Sequence, residues 1–489
     1  MQSMAEENYL ITKNKKIEAP YNTHDYGLVF RSSGIFYFIK NGKVTTTISI
    51  LNYWKLKRNI DVTIIASTRK LNGELVKREA LNFQQGNVIN YSPNIEEPFE
   101  GSIEIEALSI KNIVIPYIGN IVVYQSKYGI SMVHSYGRAY SSYEIEEKKI
   151  VDHAEESGCN TCKDSTDIES FAIFHNGNRE CPEQIIQVSV LNHKGKRQET
   201  SFKLGKLNPY ETVKIRLEDR FPNIIDFLDG QIGYTTYSFH LNKSAFPRML
   251  TVNQKRDGGD LQVTHSFFNL SKHQTARLKE EKSGFMFIPR IKDTKEDLII
   301  YPDCVIGEYE VNCKSGRTYN FNENKGVTIP IDHDEEIIKF TKLNDRTPVR
   351  IHAGIRISKQ NDRVTSESCS GIEHEEVMPK HFFWGICASG SKLRSQIILQ
   401  QYALNADDEM HTNPIIIKFY SSKNHECKEV SINVEELKNG LYVSDIFPQS
   451  EQFFGDELGW FTLYNQSSHS VAFSTLENEY GSIAIEHTM

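Results

Sequence analysis

Two stretches carry one signature: Ile115-Pro116 … Val133-His134-Ser135-Tyr136 and Phe246-Pro247 … Thr264-His265-Ser266-Phe267. Each runs eighteen residues from proline to histidine. Each reads as a β-hairpin, with β-branched and apolar residues on either side of a turn. The second has Arg256-Asp257-Gly258-Gly259-Asp260 at its tip, where glycine permits a positive φ. Looser copies end in Ile372-Glu373-His374 and Ile485-Glu486-His487. A hairpin that recurs with its terminal histidine implies that a larger unit recurs with it.

Upstream of the hairpins the correspondence continues. A first strand recurs as Ser33-Gly34-Ile35-Phe36-Tyr37-Phe38, Phe171-Ala172-Ile173-Phe174, Ser283-Gly284-Phe285-Met286-Phe287 and Phe382-Phe383-Trp384. The first two run into Asn41-Gly42 and Asn176-Gly177, a strong turn signal. Ile48-Ser49-Ile50-Leu51-Asn52 is echoed by Val188-Ser189-Val190-Leu191-Asn192, and the nine residues from Pro93 to Gly101 align without gaps on Pro222 to Gly230.

The terminal histidines lie 131, 109 and 113 residues apart, the size of one immunoglobulin-like or jelly-roll sandwich. The expected architecture is all-β: four tandem β-sandwich repeat units at 25–140, 171–270, 283–375 and 381–489, the first two most alike and the third degenerate. Residues 141–170, acidic and without periodicity, are expected to form a linker or insertion. Strands are expected at 43–51, 60–65, 101–106, 185–191, 211–217, 326–331, 415–420 and 429–434. Helical periodicity is confined to short stretches such as 223–228 and 433–438.

Composition narrows the function classes. Lys and Arg total 56 against 64 Asp and Glu, a net charge of −8 without a basic cluster, so nucleic acid is not an expected partner. No run approaches eighteen apolar residues, so no membrane span is expected. Met1 to Glu7 lacks a basic region followed by an apolar run, and eight cysteines are few for 489 residues; the expected location is cytoplasmic with reduced thiols. Neither a Walker A loop nor a dinucleotide fingerprint occurs. His374-Glu375-Glu376 with His381 has the wrong spacing for a helical zinc motif, and Gly385 to Gly390 is no nucleophile elbow.

Several residues remain as candidates. His134, His265, His374 and His487, if convergent, would offer imidazoles to zinc or iron. The opposing expectation is that equivalent positions of tandem sandwiches lie tens of ångströms apart, each histidine bonded within its own sheet. Cys159 and Cys162, with His153 and Cys181, have the residue types of a zinc staple, although a single CxxC is weak evidence. Arg248 and Arg356 stand on hairpin strands, where an arginine either clamps an anion or is a solvated edge charge. Tyr53 and Trp54 read as a loop-borne aromatic platform for a sugar ring or a partner, or as a cap on the first core.

The leading expectation is a binding protein for a glycan or nucleotide-sugar-like ligand, using Tyr53, Trp54, Arg248, His134 and His265. The alternatives are a metal-dependent enzyme built on the repeated histidines and an assembly protein of tandem jelly-rolls. Whether the chain is catalytic, binds a protein partner or oligomerises stays open at this level.

Overall fold

A computed structural model describes residues 29–488 apart from 84–85, 114–117, 135–136, 142–155, 240–244, 247, 266, 269–282, 292, 302–307, 314, 323–324, 326, 332–336, 344–352, 360–363, 371–380 and 404–406. Strands dominate, and the sheets are antiparallel with four or five strands each, apart from one two-stranded pair. The expected strands are observed as Val44–Leu51, Thr63–Lys70, Phe99–Ser109, Gln184–Leu191, Thr212–Arg216, Val327–Pro330, Ile415–Tyr420 and Cys427–Ile432. Period-two alternation located them because one face of each meets a core.

In the first segment the strands are β1 (Phe30–Lys40), β2 (Val44–Leu51), β3 (Thr63–Lys70), β4 (Leu75–Leu81), β5 (Val88–Tyr91), β6 (Phe99–Ser109), β7 (Asn120–Ser126) and β8 (Ile130–His134). They form two sheets, ordered β1-β6-β3-β4 and β5-β2-β7-β8. Both sheets feed one core: Phe36, Phe38, Ile103 and Ile105 from the first, Ile48, Ile50, Val122 and Tyr124 from the second. The same pair of strand orders, 1-6-3-4 and 5-2-7-8, appears three more times along the chain when the two-residue strands Arg138–Ala139, Ala245–Phe246, Phe267–Phe268 and Leu393–Arg394 are set aside. Strands 3 and 6 are neighbours, and so are 2 and 5, as in an immunoglobulin domain. The closing hairpin, however, pairs with strand 2 instead of continuing the other sheet.

Residues 141–170 differ from the linker expected there. Glu156–Cys162 is a strand, antiparallel to Gly233–Phe239 and to Phe267–Phe268, and Ile168–His175 opens the next sheet. Polar residues hid this strand: the adjacent Asn160 and Thr161, on opposite faces, are both buried, so apolar and polar residues do not alternate along it.

The segments share apolar cores. In β7, Val122 and Tyr124 enter the core of the first segment, while Ile121 and Val123 enter a second cluster with Ile386, Tyr420, Trp460 and Leu476 of the fourth. Trp460 Nε1 donates to Ser49 Oγ at 2.8 Å and Asn90 Nδ2 to the Leu458 carbonyl at 2.7 Å across the same contact. Between the first and second segments, Lys214 Nζ donates to Glu100 Oε1 at 3.1 Å and Tyr37 meets Phe171 edge-on.

Candidate functional site

The four closing hairpins decide where the site sits. Their last strands are Ile130–His134, Leu261–His265, Ser366–Ser370 and Ile483–His487, each five residues long and at a sheet edge. They meet in the middle of the molecule as a closed cycle: first against second, second against third, third against fourth and fourth against first. Edge strands present unpaired backbone groups, and here side chains satisfy several of them. Val263 N donates to Ser131 Oγ at 2.9 Å, Ile485 N to Ser366 Oγ at 3.2 Å and His134 N to Glu486 Oε2 at 3.2 Å.

Since the strands end at this junction, their terminal residues converge. The His134 ring lies 4.6 Å from His265 and 4.4 Å from His487 between centroids, and His265 lies 6.4 Å from His487, all edge to face. This corrects the expectation that equivalent histidines stand far apart in separate sheets. Sandwiches strung end to end would separate them; a cycle of edges brings them together. In the third segment Ser370 pairs with Ala353 of that segment's own core, whereas His134 and His487 pair with Ile121 and Phe473, which pack against neighbouring segments, so Ser370 is not their counterpart. His374 lies outside the described residues.

Glu486 is the carboxylate of the cluster. Its Oε1 lies 3.2 Å from His134 Nδ1 and 2.9 Å from His487 Nδ1, and it accepts from Ser368 Oγ at 3.2 Å and from the His487 amide at 3.0 Å. His134 and His265 are 0% and 1% exposed, and the His487 side chain 11%. Burial pushes the His134 imidazole down to about 4, against the opposing pull of Glu486, and pushes His265 well below its ordinary range, with Arg248 acting in the same direction on both. Both imidazoles are therefore neutral at pH 7, the state in which imidazole coordinates a metal. His134, His487 and Glu486 offer ligand atoms all within 4.8 Å of one another.

A second buried polar group flanks this centre. Thr161 Oγ1 donates to Glu367 Oε2 at 2.7 Å, and Lys163 Nζ stands 3.6 Å from Glu367 Oε1, joining the second segment to the last strand of the third. Burial pushes Lys163 down to about 8 while Glu367 pulls it up. Elsewhere, Glu104 and Glu106 on β6 are bound by arginines: Arg31 reaches them at 2.7 and 2.6 Å, Arg69 reaches Glu104 at 3.5 Å and Arg78 reaches Glu106 at 3.2 Å. Burial, then the Glu106 charge, raises Glu104 to about 7. This network is saturated by its arginines and leaves neither carboxylate an open face for acid–base chemistry.

The remaining sequence candidates are placed as follows. Tyr53 and Trp54 do not form a loop platform. They open the helix Tyr53–Arg58, capped by Asn52, and are 8% and 1% exposed. Trp54 joins the first core, and Tyr53 lies 4.7 Å from the Trp384 ring of the fourth segment. Aromatic rings behind a helix cap signal burial as readily as display, and the apolar neighbours decide which. Arg248 is half-buried near His134 and His265, electrostatically coupled to both. Arg356 is not a solvated edge residue: it is 8% exposed and its Nη2 lies 2.8 Å from Asp297 Oδ2.

Cys162 and Cys181 are buried in the core of the second segment. His153 and the Cys159 side chain lie outside the described residues, as do Pro116, Pro247, Ser135 and Ser266. The CxxC sits in a continuous strand, in which positions three apart fall on opposite faces. Zinc knuckles use turns for that spacing. Sequence reasoning passed over Glu486 as a functional group, although its place beside the last histidine was a usable signal.

No protein-family model matches the chain, and no curated protein matches it in sequence. Among the described residues no helix is long and apolar enough to cross a membrane.

Proposed function

We propose that the protein is a non-catalytic binding scaffold: four copies of one β-sandwich unit, close to 25–140, 156–270, 283–375 and 381–489, closed into a ring around their last strands. The recurrence of the 1-6-3-4 and 5-2-7-8 strand orders supports the four-unit reading. One observation carries the non-catalytic part. His134, His265 and Glu486, which the enzyme reading needs beside a substrate, are all within 2% of complete burial. A substrate cannot reach groups that the four strands enclose, whereas a rigid ring leaves loops and inter-unit grooves for binding.

The ligand class carried over from the sequence is a glycan or nucleotide-sugar. Its contacts must lie elsewhere than on Tyr53 and Trp54, which are occupied in cores. A thermal-shift screen of the full chain against sugars and nucleotide-sugars tests this class. A ligand that binds only the folded state stabilises it by about 2.7 kcal/mol at a hundredfold excess over its Kd. A rise with a sugar supports the scaffold reading. Turnover of any of these compounds would replace it with the enzyme, and concentration-dependent oligomers in light scattering with no ligand shift would favour an assembly protein.

A further inference from the structure

We propose that the central cluster is a metal site, binding one divalent transition-metal ion of the zinc class through His134, His487 and Glu486, with His265 adjoining as the third imidazole. The sequence offered His134, His265 and His487 among the repeated histidines; the structure adds the carboxylate of Glu486. This inference concerns the centre of the ring and not the ligand of the scaffold, so either stands if the other fails.

Two observations carry it. The first is the donor set. Nitrogen-rich ligands with one carboxylate are the preference of zinc and its neighbours, not of magnesium or calcium. Bonds of about 2.0–2.2 Å to a tetrahedral ion put ligand atoms roughly 3.3–3.5 Å apart. Glu486 Oε1 is already 3.2 and 2.9 Å from the two Nδ1 atoms, within a few tenths of an ångström of that spacing, and one ligand atom from each of the three residues lies within 4.8 Å of the other two.

The second is the cost of the arrangement. Imidazoles from three segments and a carboxylate are gathered where water has almost no access, and polar groups buried together are held by pairing or coordination. Among the described residues Nε2 of His487 has no hydrogen-bond partner.

Three protein donors reach the ion, and their burial denies a substrate access to the remaining position, so the ion would be structural. It would tie the first and fourth segments at the point where their sheet edges meet. Arg248 opposes an added cation through its charge on His134 and His265, and Glu486 supplies the opposite charge.

The test uses the full chain purified without chelator. Mass-spectrometric metal analysis is expected to find one zinc per chain, and a strong chelator is expected to lower the melting temperature until zinc is returned. Cobalt(II) loaded into the stripped protein should show visible d–d bands of a low-symmetry nitrogen and oxygen site. Those bands should be lost in E486Q and in H487Q, the latter altering the least buried member, and kept in H193Q, which alters an exposed histidine. Circular dichroism of each variant separates loss of metal from loss of fold. No metal, with no thermal shift on adding zinc or cobalt to wild type, overturns the proposal. So does cobalt binding that E486Q and H487Q leave unchanged, since that ion would be held elsewhere.

Discussion

His175 shows what burial does to an imidazole in this molecule. It closes the strand Ile168–His175 at 5% exposure, with Nδ1 2.9 Å from Thr212 Oγ1, and burial pushes it down to about 3. In the unfolded chain the same group titrates near 6.5, so on acidification the unfolded state takes up the proton first. The stability this neutral histidine contributes is complete above about pH 6.5 and is lost as pH falls towards 3. Urea midpoints followed from pH 7 to 4 should fall with acid, and H175N should fall less steeply; parallel curves would assign the slope to other groups. Arg356 makes the corresponding case for charge. Its pairing with Asp297 is buried, and R356A should cost about 3–5 kcal/mol in urea denaturation, because the stranded carboxylate is left without a partner. A cost below about 1 kcal/mol would mean that the site is hydrated and behaves as a surface pair. Neither environment was legible in the sequence. His175 and Arg356 sit in strands that alternation locates well, but alternation does not tell whether the second face meets solvent or another sheet.

At the scale of elements, the closing hairpins were the most readable part of the chain. Their strands have period two, a turn signal and a recurring terminal residue, all local properties. What they dock against was not readable. The last strands meet edge to edge through side chains, and such contacts carry no period. Ser131 is the clearest instance: its Oγ accepts from Val263 N of the next segment at 2.9 Å. Replacing it by alanine removes one oxygen and leaves a buried amide unpaired, for an expected loss of about 1–3 kcal/mol. S366A, which abandons Ile485 N, should cost a similar amount, and the double variant should be near the sum, since each serine serves a different amide. Equilibrium denaturation of the three variants measures this. The strand Glu156–Cys162 is the opposite case, an element missed because Asn160 and Thr161 are polar yet buried, Thr161 bonded across to Glu367 of the next segment.

At the scale of the whole molecule, the cores are not confined to segments. Leu51, Ile121 and Val123 of the first segment are packed with Trp460 and Leu476 of the fourth, so removing either exposes an apolar face. The ring should therefore unfold as a unit. Calorimetry is expected to give one transition whose calorimetric and van't Hoff enthalpies agree, and residues 25–140 expressed alone should aggregate or remain unfolded. Separate transitions, or a well-folded first segment on its own, would show that the shared core contributes little.

The sequence by itself determined the all-β class, the positions of most strands and the recurrence of a hairpin ending in histidine, because each is written in neighbouring residues through the pleat and the turn. It also singled out His134 and His265. Only the tertiary structure decided that those histidines meet His487 and Glu486, that Tyr53 and Trp54 face inward, and that the four last strands close a cycle. The physical reason is one of range. A strand's alternation records that a face is buried, but which surface buries it depends on how whole sheets pack, and that information is spread over residues hundreds of positions apart.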